Sequence, residues 1–211
     1  MRVAIVDYGS GNLHSVMQSL QAAADKACLE VEFTLTDHVD IVGQADRIVL
    51  PGVGAFADCA KGLRAIDGME AMLNDRVLHG ATPFLGICVG MQLMADRGRE
   101  EGDTPGLGWI NGVVEHIQAP GLKIPHMGWN SLDLYRPHPI FDGVDNGHAV
   151  YFVHGYHMKT EKPEHNLATV EYGGRLVAAI GRDNMVGMQF HPEKSQDIGQ
   201  RLLMNWLNWK P

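Results

Sequence analysis

Thr82-Pro83-Phe84-Leu85-Gly86-Ile87-Cys88-Val89-Gly90-Met91-Gln92-Leu93-Met94 runs from a short apolar segment into what reads as the start of a helix, through a turn with a glycine two places to either side of a cysteine. A small residue at both of those places, between a strand and a helix, is the pattern of a nucleophile elbow with Cys in place of Ser. The turn is so tight that only glycine lets the neighbouring backbone pass without a Cβ collision. The pattern predicts that the Cys88 side chain stands clear of a sheet edge, at a helix N-terminus whose partial positive charge favours an anionic sulfur. A buried cysteine in a Gly-rich strand-to-helix loop fits the same five residues, so the far end of the chain has to decide between the two.

Gln189-Phe190-His191-Pro192-Glu193-Lys194-Ser195 offers a histidine and a glutamate two positions apart. Read as extended chain, positions i and i+2 share a face, so both side chains can serve one site. A cysteine nucleophile needs a base to carry its proton, and the base needs an acceptor that fixes its tautomer. His191 and Glu193 suit those two roles. A lone His-Pro-Glu is weak evidence; joined to the elbow it is strong.

Together with Asp7-Tyr8-Gly9-Ser10-Gly11-Asn12, Pro51-Gly52-Val53-Gly54-Ala55-Phe56 and Pro125-His126-Met127-Gly128-Trp129-Asn130, these segments give the chain a resemblance to the triad-type (class I) glutamine amidotransferases that covers nearly its whole length. The elbow and the His-Pro-Glu belong to the wider family. The Pro51–Phe56 and Pro125–Asn130 segments narrow the resemblance to the branch whose members feed a barrel-shaped synthase (cyclase) subunit in histidine biosynthesis.

That resemblance implies glutamine as substrate, a Cys88–His191–Glu193 triad that releases ammonia, no cofactor, and a heterodimer with the synthase subunit. It implies an oxyanion hole from the N–H groups of Val53 and Val89, worth ~3–4 kcal/mol of transition-state stabilisation per donor. It puts Gly52, Gly54, Gln92, Gly155 and Tyr156 at the glutamine pocket. Here the chain departs from the family, since Gly155 stands where Ser or Thr is common and a hydroxyl contact is lost. Asn12, Met127, Trp129 and Lys194 are the expected partner surface. A simple tight turn at Pro51–Gly54, an ordinary polar helix residue at Gln92 and a solvated lysine at Lys194 are the plainer readings. Two rival functions remain at this point: a glutaminase for another synthase, and a non-catalytic binding subunit with the same fold.

Composition narrows the classes. Apolar residues at 45% and charged ones at 20% suit an ordinary globular chain, and 211 residues suit one domain, 1–211. A formal charge of −8 argues against a nucleic-acid or anionic-membrane surface, which would be basic. The three cysteines cannot all pair, as expected in a reducing cytosol; Cys59 reads as a helix residue and Cys28 as a small core filler, both structural. The longest mostly apolar stretch, Pro83 to Ala95, falls short of the ~18 residues that span a bilayer. Eleven histidines suggest a metal only superficially, because no ligand spacing accompanies them; none is expected. Gly9-Ser10-Gly11 invites a dinucleotide site, but the third glycine of that fingerprint would fall on His14, so a partner-facing loop is the better expectation.

The first half alternates strand and helix. Strands are expected at Arg2–Asp7, Glu30–Leu35, Arg47–Leu50 and Phe84–Ile87, with helices at Asn12–Ala24 and Gly62–His79. Such alternation predicts an α/β fold of the flavodoxin-like kind, an open, mostly parallel sheet with helices on both faces. The second half reads as short β segments from Gly112 to Phe190 that extend the same sheet in antiparallel fashion, closed by an amphipathic helix at Ile198–Trp209. Ligands in such sheets bind beyond the carboxyl ends of the strands, which is where the Gly52 loop and Cys88 both fall.

Overall fold

The computed structural model describes residues 1–100 and 102–211. Its largest sheet has eight strands. Four come from the first half: β1 (Arg2–Val6), β2 (Glu32–Thr36), β3 (Arg47–Gly52) and β4 (Phe84–Cys88). They lie in the order β2-β1-β3-β4, all parallel. Every residue of β3 and β4 is buried, the mark of strands covered on both faces. The expected α/β class and mostly parallel sheet are borne out.

Helices cover both faces because each carries one apolar stripe. Leu13–Lys26 buries Val16, Leu20, Ala23 and Ala24, and packs beside the C-terminal helix Gln196–Asn208, which buries Leu202, Leu203, Trp206 and Leu207. The expected single helix over Gly62–His79 is broken. Phe56–Ala65 ends before Ile66, Gly68 adopts φ +78°, and a second helix, Met69–Asn74, continues into a π-helical turn at Asp75–His79. Apolar residues keep helical spacing across the break, so periodicity alone missed it.

The second half differs from expectation in two ways. Met185–Met188 pairs parallel to β4, not antiparallel, and sits at the centre of the sheet. Only beyond it do Arg175–Arg182, Asn166–Glu171 and Asp133–Leu134 add the antiparallel edge. The other strands leave the main sheet: His126–Ser131 pairs with Ala149–His154, and Tyr156–Thr160 joins Gly112–His116 in a separate four-stranded sheet. Cys28 is exposed, with φ +54°, rather than a core filler, whereas Cys59 is buried in its helix. Among the described residues, no helix is long and apolar enough to cross a membrane.

Register sets the position of the site. Gly52 lies opposite Cys88, and Met188 opposite Ile87. The carboxyl ends of three neighbouring strands therefore deliver Gly52-Val53, Cys88-Val89 and Gln189-Phe190-His191 to one place.

Candidate active site

Cys88 closes β4 and caps a four-residue helix, Val89–Gln92, with φ +54° and ψ −111°. A non-glycine residue at that φ is strained by about 1–3 kcal/mol, and the packing around it is what holds it there. A Cβ on Gly86 would stand 2.7 Å from the Gly90 carbonyl oxygen, and one on Gly90 would run into the Leu50 carbonyl oxygen. Both glycines of the sequence pattern are thus required by backbone contact. Gly52, expected at the pocket, instead lies beneath the elbow, where a Cβ would be 2.5 Å from the Tyr8 hydroxyl. That hydroxyl donates to the Pro51 carbonyl at 2.6 Å and pins the end of β3. Burial pushes the Tyr8 pKa well up, so it stays a neutral donor.

His191 is buried, and its Nδ1 lies 2.8 Å from Glu193 Oε1. The pair does not sit on a strand. His191 is extended, and Pro192–Lys194 then forms a 3-10 turn that swings the Glu193 carboxylate back under the imidazole. The i, i+2 face-sharing argument therefore placed the right partners by the wrong local geometry. Burial opposes a charge on His191, but interaction with Cys88 and Glu193 outweighs it and lifts the pKa to about 9. Among the described residues, Nε2 of His191 is buried with no hydrogen-bond partner. It is the free nitrogen of the ring, on a residue that lines the same pocket as Cys88. Ser195 Oγ donates to the His191 carbonyl at 2.6 Å and accepts the Tyr151 N–H at 3.0 Å, locking the turn to the adjacent strand.

The pocket has a volume of about 690 Å³, and its lining includes Cys88, Val89, His191, Val53, Gly54 and Gln92, the segment Val153–Tyr156, and Asn12 and Lys194. Met127 and Trp129 are not part of its lining. They are 62% and 48% exposed, on the strand His126–Ser131, where every second residue is exposed. Trp129 meets the Tyr151 ring edge-on at 6.0 Å, and the Lys194 ammonium lies 5.9 Å from the same ring. The four residues expected at a partner surface thus fall into two patches: Asn12 and Lys194 on the pocket margin, and Trp129 joined to Lys194 through Tyr151 with Met127 farther along its strand.

Several polar groups in the site carry no sequence signal of their own. Gln189, fully buried, places Nε2 3.7 Å from Cys88 Sγ and accepts from Gln92 Nε2 at 3.0 Å. Gln92 Nε2 also donates to the Tyr156 carbonyl at 3.1 Å. Ser10 Oγ accepts the Val53 N–H at 3.1 Å and donates to the Val53 carbonyl at 2.5 Å. The N–H expected in the oxyanion hole is therefore occupied by a hydroxyl. Glu100 brings a carboxylate to the pocket, with Oε2 accepting the Phe56 N–H at 2.6 Å. Gln92 was expected at the pocket; Gln189 and Ser10 stood inside segments singled out by sequence, where nothing marked either residue, and Glu100 stood in none.

The sequence matches the class I glutamine amidotransferase family over residues 4–208. It is 54% identical to the imidazole glycerol phosphate synthase subunit HisH of Mesorhizobium japonicum and 56% identical to that of Rhodospirillum rubrum, in each case over the whole of both chains. A solved glutamine amidotransferase superposes with a TM-score of 0.72 at 19% identity, covering 98% of this chain and 97% of its own. A glutamine amidotransferase of Thermotoga maritima gives 0.66 at 17%, covering 95% and 80%. At such identities the two structures speak for the fold alone.

Proposed function

The chain belongs to the class I glutamine amidotransferase family, and we propose that it is the glutaminase subunit of an imidazole glycerol phosphate synthase, with Cys88, His191 and Glu193 as its triad. The observation that carries the reading is the meeting of a strained cysteine and a buried His–Glu pair in one pocket. The full-length similarity to HisH subunits supports the choice of synthase.

In this reading the Cys88 sulfur attacks the side-chain amide carbon of glutamine. The oxyanion that forms is met by the Val89 N–H and, once released from Ser10, by the Val53 N–H. His191, whose raised pKa keeps it protonated at neutral pH, gives its proton to the leaving nitrogen, so ammonia departs and a γ-glutamyl thioester remains. The imidazole, now neutral, takes a proton from water as that water attacks the thioester. The thioester collapses to glutamate, whose acid proton passes to solvent, and the anionic Cys88 sulfur beside a protonated His191 is restored. Glu193 holds the ring in register and stabilises its charged form. Gln92 and the Gly155–Tyr156 backbone face the substrate, and Glu100 supplies a carboxylate for its α-ammonium group.

The ammonia serves a barrel-shaped synthase subunit in a cytosolic heterodimer, where it enters the reaction that yields imidazole glycerol phosphate and an aminoimidazole carboxamide ribotide. Asn12, Met127, Trp129 and Lys194 form the docking side, so Lys194→Ala should lower partner-stimulated hydrolysis more than the basal rate. The test is Cys88→Ala in the complex. Glutamine-dependent synthesis should fall by on the order of 10⁴–10⁶, while synthesis from added ammonium continues. Glutamine hydrolysis within about tenfold of the unmodified chain would remove Cys88 from the nucleophile's role.

A further inference from the structure

His126 and His154 are both buried, on the paired strands His126–Ser131 and Ala149–His154. His154 lines the pocket, whereas His126 shares its strand with the exposed Met127 and Trp129. His126 Nδ1 lies 3.0 Å from His154 Nε2. Neither residue has a part in the chemistry described above.

The donors and acceptors along this line are fixed from both ends. At the pocket end His154 Nδ1 lies 2.8 Å from the Tyr156 carbonyl, which only accepts, so Nδ1 carries the hydrogen. At the other end the Asn130 amide cannot flip, because Oδ1 accepts the Ser131 N–H at 2.8 Å and Nδ2 donates to the Glu171 carbonyl at 3.0 Å. Its second Nδ2 hydrogen faces His126 Nε2 at 3.2 Å, which must therefore be the acceptor. His126 Nδ1 is then the donor to His154 Nε2, and every hydrogen points the same way.

Only neutral imidazoles fit. A proton on His126 Nε2 would oppose the Asn130 amide, and one on His154 Nε2 would oppose the His126 N–H. Burial keeps both rings neutral, with pKa values lowered to about 4 for His126 and about 3 for His154. Stacking on Tyr172 at 4.0 Å and Phe152 at 4.7 Å holds the His126 ring in plane.

We propose that Asn130, His126 and His154 form a one-way hydrogen-bond relay from the outward-facing Trp129 strand to the Tyr156 carbonyl, with both histidines acting as positioning residues for the glutamine pocket. This rests on the reading that glutamine binds in the pocket and a synthase subunit docks on that strand. The Tyr156 carbonyl is where the relay meets the other polar chain, since it also accepts from Gln92, which continues through Gln189 to the Cys88 sulfur. A shift of the docking strand is thereby transmitted to the groups that hold substrate, without any proton moving along the line.

The test uses the complex with the synthase subunit and its substrate. His126→Phe keeps the stack and removes both hydrogen bonds; it should raise the KM for glutamine about three- to tenfold with kcat within about twofold. His126→Asn keeps a donor towards His154 and should recover most of that loss. An unchanged KM for His126→Phe, or equal damage from His126→Asn, overturns the relay. Long-range ¹H–¹⁵N correlation on histidine-labelled chain gives a second reading that needs no folded variant. Both rings should be Nδ1–H tautomers, against the Nε2–H form usual for free imidazole, and an Nε2–H form at either ring overturns the relay. If the unmodified complex released no glutamate, the glutaminase reading would fail instead, and the tautomers would still judge the relay.

Discussion

The two walls of the pocket are built in opposite ways. On the nucleophile wall, Cys88 is 4% exposed and ends a strand whose residues are all buried, and the glycines beside it have no room for a Cβ. On the other wall, the segment after Gly52, Val53 is 41% exposed, and Gly54, at φ +100°, has nothing near its missing Cβ among the described residues. Its peptide is tied to the rest of the site by the Ser10 hydroxyl. Packing over-determines the proposed nucleophile, whereas hydrogen bonds from the Ser10 and Cys59 side chains hold the segment of the proposed oxyanion donor. Under the proposed function the chemistry is thus preset on one wall, and the last catalytic group can be withheld on the other at small energetic cost.

The largest effects should come from the rigid wall. His191→Ala should cost on the order of 10⁴–10⁶ in glutaminase rate, because a missing member of a unit that works together disables the whole. Glu193→Gln should cost less, since it orients the base without moving the proton. Equal losses, measured under saturating glutamine, would mean that Glu193 does more than orient.

Glycine substitutions break the comparison directly. Gly90→Ala forces a methyl into the Leu50 carbonyl and should destabilise by about 3 kcal/mol or more, at the upper end of overpacking costs. Gly54→Ala meets open space and bears only the strain of its positive φ, about 1 kcal/mol. Denaturant melts of the two variants compare them, and similar losses would mean that the walls are equally constrained.

Ser10→Ala sharpens the loose side. Removing a neutral hydrogen bond worth about 0.5–1.5 kcal/mol should raise the basal rate of the lone chain about two- to tenfold. The stimulated rate in the complex should change less. A fall in basal rate would show that the Ser10 contact supports the working arrangement instead of restraining it.

Gly155→Ser has the smallest predicted effect. A Cβ there meets only Ile124 Cγ2, at 3.6 Å, so the hydroxyl common in relatives fits without strain. The KM for glutamine should fall, by about twofold to tenfold at most, with little change in kcat. A rise in KM would mean that the pocket here has adapted to the glycine.

The elbow was legible in sequence because its constraint is local, with two glycines and a cysteine within five residues. Phe84–Leu85 before it and Met91 after it mark the strand and the helix. The parallel half of the sheet followed for the same reason. The place of Met185–Met188 did not, since a buried central strand is an unbroken apolar run whichever way its neighbours point. Gly68 ended a helix through its left-handed φ while the apolar spacing ran on past it. The roles of Ser10 and Gln189 were invisible because their partners, Val53 and Cys88, lie 43 and 101 residues away, although both residues stand in segments the sequence singled out.

The central claim is that the nucleophile wall is ready and the oxyanion wall is switched by docking. Steady-state glutamate release tests it, measured for the chain alone and for the complex with its synthase subunit and that subunit's substrate. The account predicts a slow lone chain and a rise of about 10²–10³ on complex formation, the amount one oxyanion donor supplies. A lone chain that hydrolyses glutamine as fast as the complex would contradict it.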